Sequence, residues 1–367
     1  MSSVLKTPVP ASSAQAVKYV DADVHPVVPR FALRARLPEK WRSYLDANGR
    51  RMPYLGDLYP RAANQGMRAD AWPEGEDAYP GTDPELARKQ LLDEFGVTYA
   101  VLNCADLMMC HEVPEFAAAL ARAMNDHLQE EWLDRDPRFV GAIVLPIDVP
   151  EAAIGEIERL AGDPRWIQVI IPTSTEEPMG SPKYRPVFRA AADAGLPVAV
   201  HLGGYDPHHG TGWPSYYIEE HVAYALAMET QLLNMVCDGL FDDIPNLRMV
   251  MTECGVAWIV ALRWALDDAW RALRDSAPQL ERTPSEVIDE HVWFTTQPIE
   301  EPELPEHFTQ MIRHGRLTDR LLFSTDYPHW DFDAPTQAMP RSVPRELREK
   351  IFAGNACALY GLPRDAK

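Results

Sequence analysis

Short apolar runs, rich in β-branched residues, alternate along this chain with longer stretches in which apolar residues recur every three or four positions. Residues 18–23, 99–103, 139–145, 167–171, 197–201, 247–252, 292–295 and 321–325 read as eight strands. Their apolar character is nearly continuous, the pattern of strands buried on both faces of a parallel sheet. Helical spacing fills the intervals. Residues 114–134 form an alanine-rich pattern that ends before Asp-Pro, and residues 344–360 form a closing one. Residues 256–273 place Trp258, Leu262, Leu266, Trp270 and Leu273 on one stripe, which predicts a face packed on the core rather than a cofactor site. Eight strands separated by helices predict the α/β class and a (β/α)8 TIM barrel. The barrel is expected to span residues 18–363 as one domain, after a disordered tail over residues 1–17.

Two stretches interrupt the alternation. Residues 26–83 follow the first strand and residues 203–215 the fifth, both rich in Gly, Pro and aromatics. Both are expected to be irregular lid insertions at the C-terminal ends of barrel strands, where such folds build their sites.

Composition removes several function classes. The chain has 367 residues and a formal net charge of −20, so it repels phosphate backbones and anionic membrane surfaces at long range. No run of about 20 apolar residues is available to span a bilayer. The expectation is therefore a small-molecule substrate, with neither nucleic acid nor membrane as partner. Cys104, Cys110, Cys237, Cys254 and Cys357 are scattered and form no C-x-x-C pair, so they read as reduced thiols in a cytoplasmic protein.

The chemistry-bearing residues stand at strand ends. Asp23 and His25 end the first strand in Asp21-Ala22-Asp23-Val24-His25, where alternation turns Asp21, Asp23 and His25 to one face. His201 ends the fifth strand, Glu253 the sixth and Asp326 the eighth, the last in Asp326-Tyr327-Pro328-His329. A lone histidine at a strand end is usually structural. Ligand-type residues at four of eight strand ends instead point to one cation in the barrel mouth, held by Asp23, His25, His201 and Asp326. Zinc is the first expectation for that divalent metal, with manganese or iron as alternatives.

With these residues in place, the chain resembles the amidohydrolase-related family of the amidohydrolase superfamily. The resembling branch includes aminocarboxymuconate-semialdehyde and γ-resorcylate decarboxylases alongside hydrolases. The resemblance extends to Arg138-Phe139-Val140-Gly141, Gln297-Pro298-Ile299-Glu300-Glu301-Pro302 and Gly354-Asn355-Ala356. It implies that Asp23 and His25 fill the family's first-strand H-x-H slot, with Asp in place of the first His. It also implies His201 and Asp326 as the fifth- and eighth-strand ligands. The fourth strand ends in Ile170-Ile171-Pro172 without the lysine that would bridge two metals, which favours one. Where many relatives carry a sixth-strand histidine, this chain has Glu253, suited to act as a general base or to orient a ligand.

The resemblance implies an enzyme and offers two reactions. In the first, a hydrolase acts on a small planar or aromatic amide or lactone through metal-activated water, with Asp326, Glu253 and His329 as catalytic residues. In the second, a non-oxidative decarboxylase protonates an aromatic or unsaturated acid from Asp326. Its substrate carboxylate would need cationic help, for which Arg34, Arg36, Arg50, Arg51, Arg61 and Arg68 in the first lid are candidates. His208 and His209 are candidate pocket residues, and the lid aromatics Trp41, Tyr44, Tyr54, Tyr59, Trp72, Trp213, Tyr216 and Tyr217 suit a planar substrate. The departure at Glu253 favours hydrolysis. A metal-binding barrel without turnover is the third reading, and relatives imply a homodimer.

Overall fold

A computed structural model describes residues 19–49, 63–75, 78–105, 113–204 and 216–363. The tail, Arg50, Arg51, Arg61, Tyr54, Tyr59, Cys110, His208, His209 and Trp213 lie outside the described residues. Eight parallel strands follow one another in sequence order around a single sheet. They are β1 (Tyr19–Val24), β2 (Val97–Leu102), β3 (Phe139–Val144), β4 (Trp166–Ser174), β5 (Val198–Gly204), β6 (Met249–Met251), β7 (Val292–Thr295) and β8 (Leu321–Leu322). Each overlaps a predicted strand. The sheet closes where the chain leaves β8: Ala22 N donates to Phe323 O at 2.8 Å and His25 N to Tyr327 O at 2.8 Å. The result is a (β/α)8 barrel.

The motifs noted in the sequence have mechanical roles here. At Gly141 in β3, a Cβ would lie 2.6 Å from the Trp166 ring on β4, so only glycine lets the two strands sit together. Asp136-Pro137-Arg138 and Asp163-Pro164-Arg165 are one device used twice. Each aspartate accepts its arginine's backbone N–H at 3.0 Å and its guanidinium, turning the chain into β3 and into β4. Asn355 Nδ2 donates to Thr318 O and Leu321 O at 3.1 and 2.8 Å, clamping the closing helix Asn355–Tyr360 against β8. Glu300 accepts the backbone N–H groups of Val256 and Ala257 at 2.9 and 3.0 Å, so the Gln297–Pro302 motif caps the helix Trp258–Leu273.

Two expectations need correction. The stretch after β1 is not irregular throughout: Arg30–Arg36 and Glu39–Asn48 are helices, each entered from a proline. Trp41 and Tyr44 pack on Phe116 of the helix Pro114–Leu128, with ring centroids 5.3 and 4.8 Å away. This part of the segment is fastened to the barrel's outer layer by apolar burial and does not hang over the mouth. The tryptophan stripe also ends early. Leu262 is buried and Trp258, Leu266 and Trp270 pack against the core, but Leu273 is 62% exposed where the helix runs past the barrel.

Candidate metal centre

Strand β1 delivers its polar residues inward because the barrel interior lies on one face of its alternation. Asp21 and Asp23 are wholly buried and His25 nearly so. Asp21 is spent on architecture: Thr325 donates to it from N at 2.9 Å and from Oγ1 at 2.6 Å, tying β1 to the residue before Asp326. Burial pushes its carboxyl up to about 7, only partly offset by these bonds.

The other strand-end residues converge. His25 Nε2 lies 2.8 Å from Asp326 Oδ1, 3.3 Å from Asp23 Oδ1 and 4.0 Å from Glu253 Oε2. His201 Nε2 lies 2.8 Å from Glu253 Oε2 and 3.6 Å from Asp23 Oδ2. His25, His201 and Asp326 line one cavity, and Asp23 is buried against both imidazoles. Donor atoms of Asp23, His25, His201 and Glu253 lie within 4.8 Å of one another, and His25, Glu253, Asp326 and His329 form an overlapping set. Glu253 stands at ligand distance, closer in than a merely orienting role requires.

The backbone makes this possible at a cost. Glu253 and Asp326 are non-glycine residues with φ of 57° and 61°. Left-handed backbone at the two strand ends costs about 1–2 kcal/mol each. Both carboxylates line the cavity at the barrel mouth.

The imidazoles are oriented from behind. His25 Nδ1 donates to Asn103 O at 3.0 Å and His201 Nδ1 to Leu202 O at 2.9 Å. A carbonyl only accepts, so each Nδ1 carries a proton and each Nε2 faces the cavity, as in metal-ligating histidines. Among the described residues, Asp23 Oδ2, His25 Nε2 and His201 Nε2 are buried without a well-aligned hydrogen-bond partner, although a carboxylate oxygen stands 2.8 Å from each Nε2. Buried polar atoms are normally satisfied. Donor atoms left unsatisfied at two strand ends, those of β1 and β5, and gathered within 4.8 Å of one another fit a divalent cation.

Electrostatics agree with that fit. Burial opposes the charge on Asp23, yet the imidazoles of His25 and His201 outweigh it and hold the carboxyl well below the usual range. Burial likewise opposes protonation of the histidines. The carboxylates of Asp23 and Asp326 nonetheless drive His25 well upward, and those of Asp23 and Glu253 push His201 up to about 10. The cluster of carboxylates demands positive charge, which protons or a metal can supply.

Above the cluster is a cavity of about 190 Å³, lined by the site residues together with Gln65, Met67, Tyr217, His221, Tyr224, Asp331 and others. His329 stands over His25, ring centroids 4.6 Å apart, and its Nδ1 is 2.6 Å from Asp326 Oδ1. None of the described lining residues is a lysine or arginine. The described lid arginines are engaged elsewhere: Arg34 with Asp46, Arg36 with Glu130, and Arg68 with Asp70 and over the Phe332 ring. Of the described lid aromatics, Tyr217 alone lines the cavity, while Trp72 packs on Tyr79 and Tyr216 is exposed.

Three polar residues escaped the sequence reading. Asn103 ends the second strand yet donates from Nδ2 to Asp23 Oδ1 at 2.8 Å. His221 and Asp331 line the cavity, His221 Nε2 being 3.5 Å from Asp331 Oδ2. Tyr217, His221 and Tyr224 share one face at helical spacing in the helix Tyr217–Cys237, a signal present in the sequence.

Known proteins resemble this chain over most of its length. Over 297 residues the chain is 26% identical to γ-resorcylate decarboxylase of a Rhizobium species, covering 76% of this chain and 88% of that protein. It is 25% identical to 2-amino-3-carboxymuconate-6-semialdehyde decarboxylase of Dictyostelium discoideum over 289 residues, 76% of this chain and 77% of the relative. A crystal structure of a Polaromonas dihydroxybenzoic acid decarboxylase with bound manganese and the inhibitor 2-nitroresorcinol shares the fold. Its TM-score is 0.64 at 21% identity, covering 95% of this chain and 98% of that one. The family model described as amidohydrolase matches residues 20–362, from the first strand through the closing helix. With that match running through every strand that contributes to the cluster, the chain belongs to the amidohydrolase family.

Proposed function

We propose that this protein is a metal-dependent, non-oxidative decarboxylase of a small hydroxylated aromatic or unsaturated carboxylic acid. The observation that carries the reading is the Asp326–His329 pair. Asp326, itself a candidate ligand, is bonded at 2.6 Å to a cavity-lining histidine, which is the arrangement needed to hand a proton to a substrate carbon. The related proteins with decarboxylase names support this reading over hydrolysis, which the sequence alone had favoured.

Asp23, His25, His201 and Asp326 would hold the metal, with Glu253 close enough to join them. This carboxylate-rich donor set suits manganese as well as zinc. Bound there, a divalent cation supplies positive charge for the substrate's carboxylate and neighbouring hydroxyl. The Asp326–His329 pair donates a proton to the ring carbon that bears the carboxylate. The bond between that carbon and the carboxylate then breaks. Its electron pair restores the aromatic system, and CO2 leaves with no change of oxidation state in the protein. Tyr217, His221 and Tyr224 form one wall of the cavity and bound a planar ring.

Manganese-loaded protein incubated with 2,6-dihydroxybenzoate and related hydroxybenzoates is expected to release CO2 and the matching phenol. Asp326→Asn should lower the rate by at least about 100-fold with the fold retained. Turnover of lactones or amides with no CO2 from any acid would overturn the proposal in favour of hydrolysis.

A further inference from the structure

We propose that Asn103, Gln168 and Tyr360 form a buried hydrogen-bond relay that fixes the two β1 ligands, Asp23 and His25, and so sets the metal affinity of the centre from the closing helix. The inference rests on the metal reading above and concerns residues to which that reading gives no role.

The links are direct. Tyr360 Oη donates to Gln168 Oε1 at 2.8 Å, Gln168 Nε2 to Asn103 Oδ1 at 2.8 Å, and Asn103 Nδ2 to Asp23 Oδ1 at 2.8 Å. Asn103 Nδ2 also reaches Ala22 O at 3.1 Å, and its backbone carbonyl accepts the His25 Nδ1 proton. One residue therefore holds both β1 ligands, through its side chain and through its main chain. Asn103 and Gln168 are fully buried.

The direction of every bond follows from one end. The Ala22 carbonyl can only accept, so Asn103 must present its NH2 to it and to Asp23 Oδ1 beside it. The Asn103 carbonyl then needs a donor, which obliges Gln168 to present its own NH2. Gln168 in turn shows its carbonyl to the next residue, which must donate. Tyr360 meets that demand: burial, with the charge of Asp23 adding to it, pushes the phenol upward and keeps it protonated. A bland polar contact would tolerate either amide orientation; here a flip at any link opposes two acceptors. Tyr360 belongs to the helix Asn355–Tyr360, which Asn355 clamps to β8, so the relay is anchored outside the site.

The relay predicts a graded and coupled loss of metal. Mn(II) affinity of the full-length protein would be measured by calorimetry. Gln168→Met, which conserves volume but leaves the Asn103 carbonyl without a donor, is expected to weaken binding by about 10- to 100-fold. Tyr360→Phe removes only the terminal bond and is expected to weaken it by about 2- to 5-fold. In the double variant, Tyr360→Phe should add nothing, because the relay is already cut. Tyr360→Phe also keeps the test decisive if Gln168→Met fails to fold. A purely structural role would lower the melting temperature and leave Mn(II) affinity within twofold of wild type, or give additive losses; either result overturns the relay. Wild-type protein that binds no Mn(II) or Zn(II) would overturn the metal reading itself, whereas wild-type binding with unchanged variants removes the relay alone.

Discussion

On the proposed reading, metal and protons compete for the same atoms in this centre, and the competition can be measured. In the metal-free protein His201 titrates near 10 and His25 is held well above its ordinary value, both sustained by facing carboxylates. Ligation requires each imidazole to be neutral at Nε2, so binding must expel both protons. At pH 7 a group titrating near 10 yields its proton at a cost of about 4 kcal/mol, which the cation must exceed at His201 alone. The sign follows directly. Raised histidines stabilise the metal-free fold below about pH 6.5, the unfolded value, and that contribution is lost as pH rises through about 10. Metal affinity moves the opposite way, rising about 100-fold per pH unit between pH 6 and 8 for two protons released and flattening toward pH 10. Titrating Mn(II) in buffers of differing ionisation enthalpy counts the protons. Release of about two at pH 7 is expected. A flat affinity from pH 6 to 8, with no buffer-dependent heat, would refute the assignment of His25 and His201 as paired ligands.

Two further outcomes probe the fold around the centre. Gly141→Ala places a methyl 2.6 Å from the Trp166 ring and should destabilise the barrel by about 1–3 kcal/mol, read as a lower denaturant midpoint at unchanged slope; an unchanged midpoint would show that β3 and β4 can slide apart freely. His127 is buried with neither ring nitrogen partnered among the described residues, and burial together with the Arg36 charge lowers it to about 4. Between pH 6.5 and 4 the unfolded chain takes up that proton and the folded one does not. Acidification through this window should therefore cost up to about 3 kcal/mol, and His127→Leu should show a correspondingly shallower loss over the same pH range.

The barrel was legible because parallel strands buried on both faces write themselves as uninterrupted apolar runs. The inward placement of Asp23 and His25 was legible because alternation alone decides which face they occupy. Distances across the barrel are another matter. Glu253 looked like a replacement for a proton-handling histidine, yet its left-handed backbone brings it within 2.8 Å of His201, and that conformation leaves no mark in the composition. Asn103 was passed over because an amide at a strand end carries no charge to attract notice; its importance appears only when Asp23 and Gln168 close on it from other strands. The helices Arg30–Arg36 and Glu39–Asn48 were hidden by flanking prolines and by short length, which leaves too few turns for a clear period. Lid arginines suggested an anion site because loop charge cannot be distinguished from local ion pairing until Asp46, Glu130 and Asp70 are seen to engage it.

The left-handed turns at Glu253 and Asp326 restrict what this site could become by mutation. Valine, isoleucine and threonine are largely barred there, because a branched Cβ meets the neighbouring carbonyl at that φ, and proline is barred outright. Asparagine, aspartate, histidine and glycine enter more readily. At both positions the backbone thus filters the alphabet before chemistry does, and it passes mostly residues that can bind a cation, move a proton or do nothing. Drift along this lineage would exchange one ligand or acid–base group for another, or silence the site with glycine, far more readily than it would pave the barrel mouth with hydrocarbon.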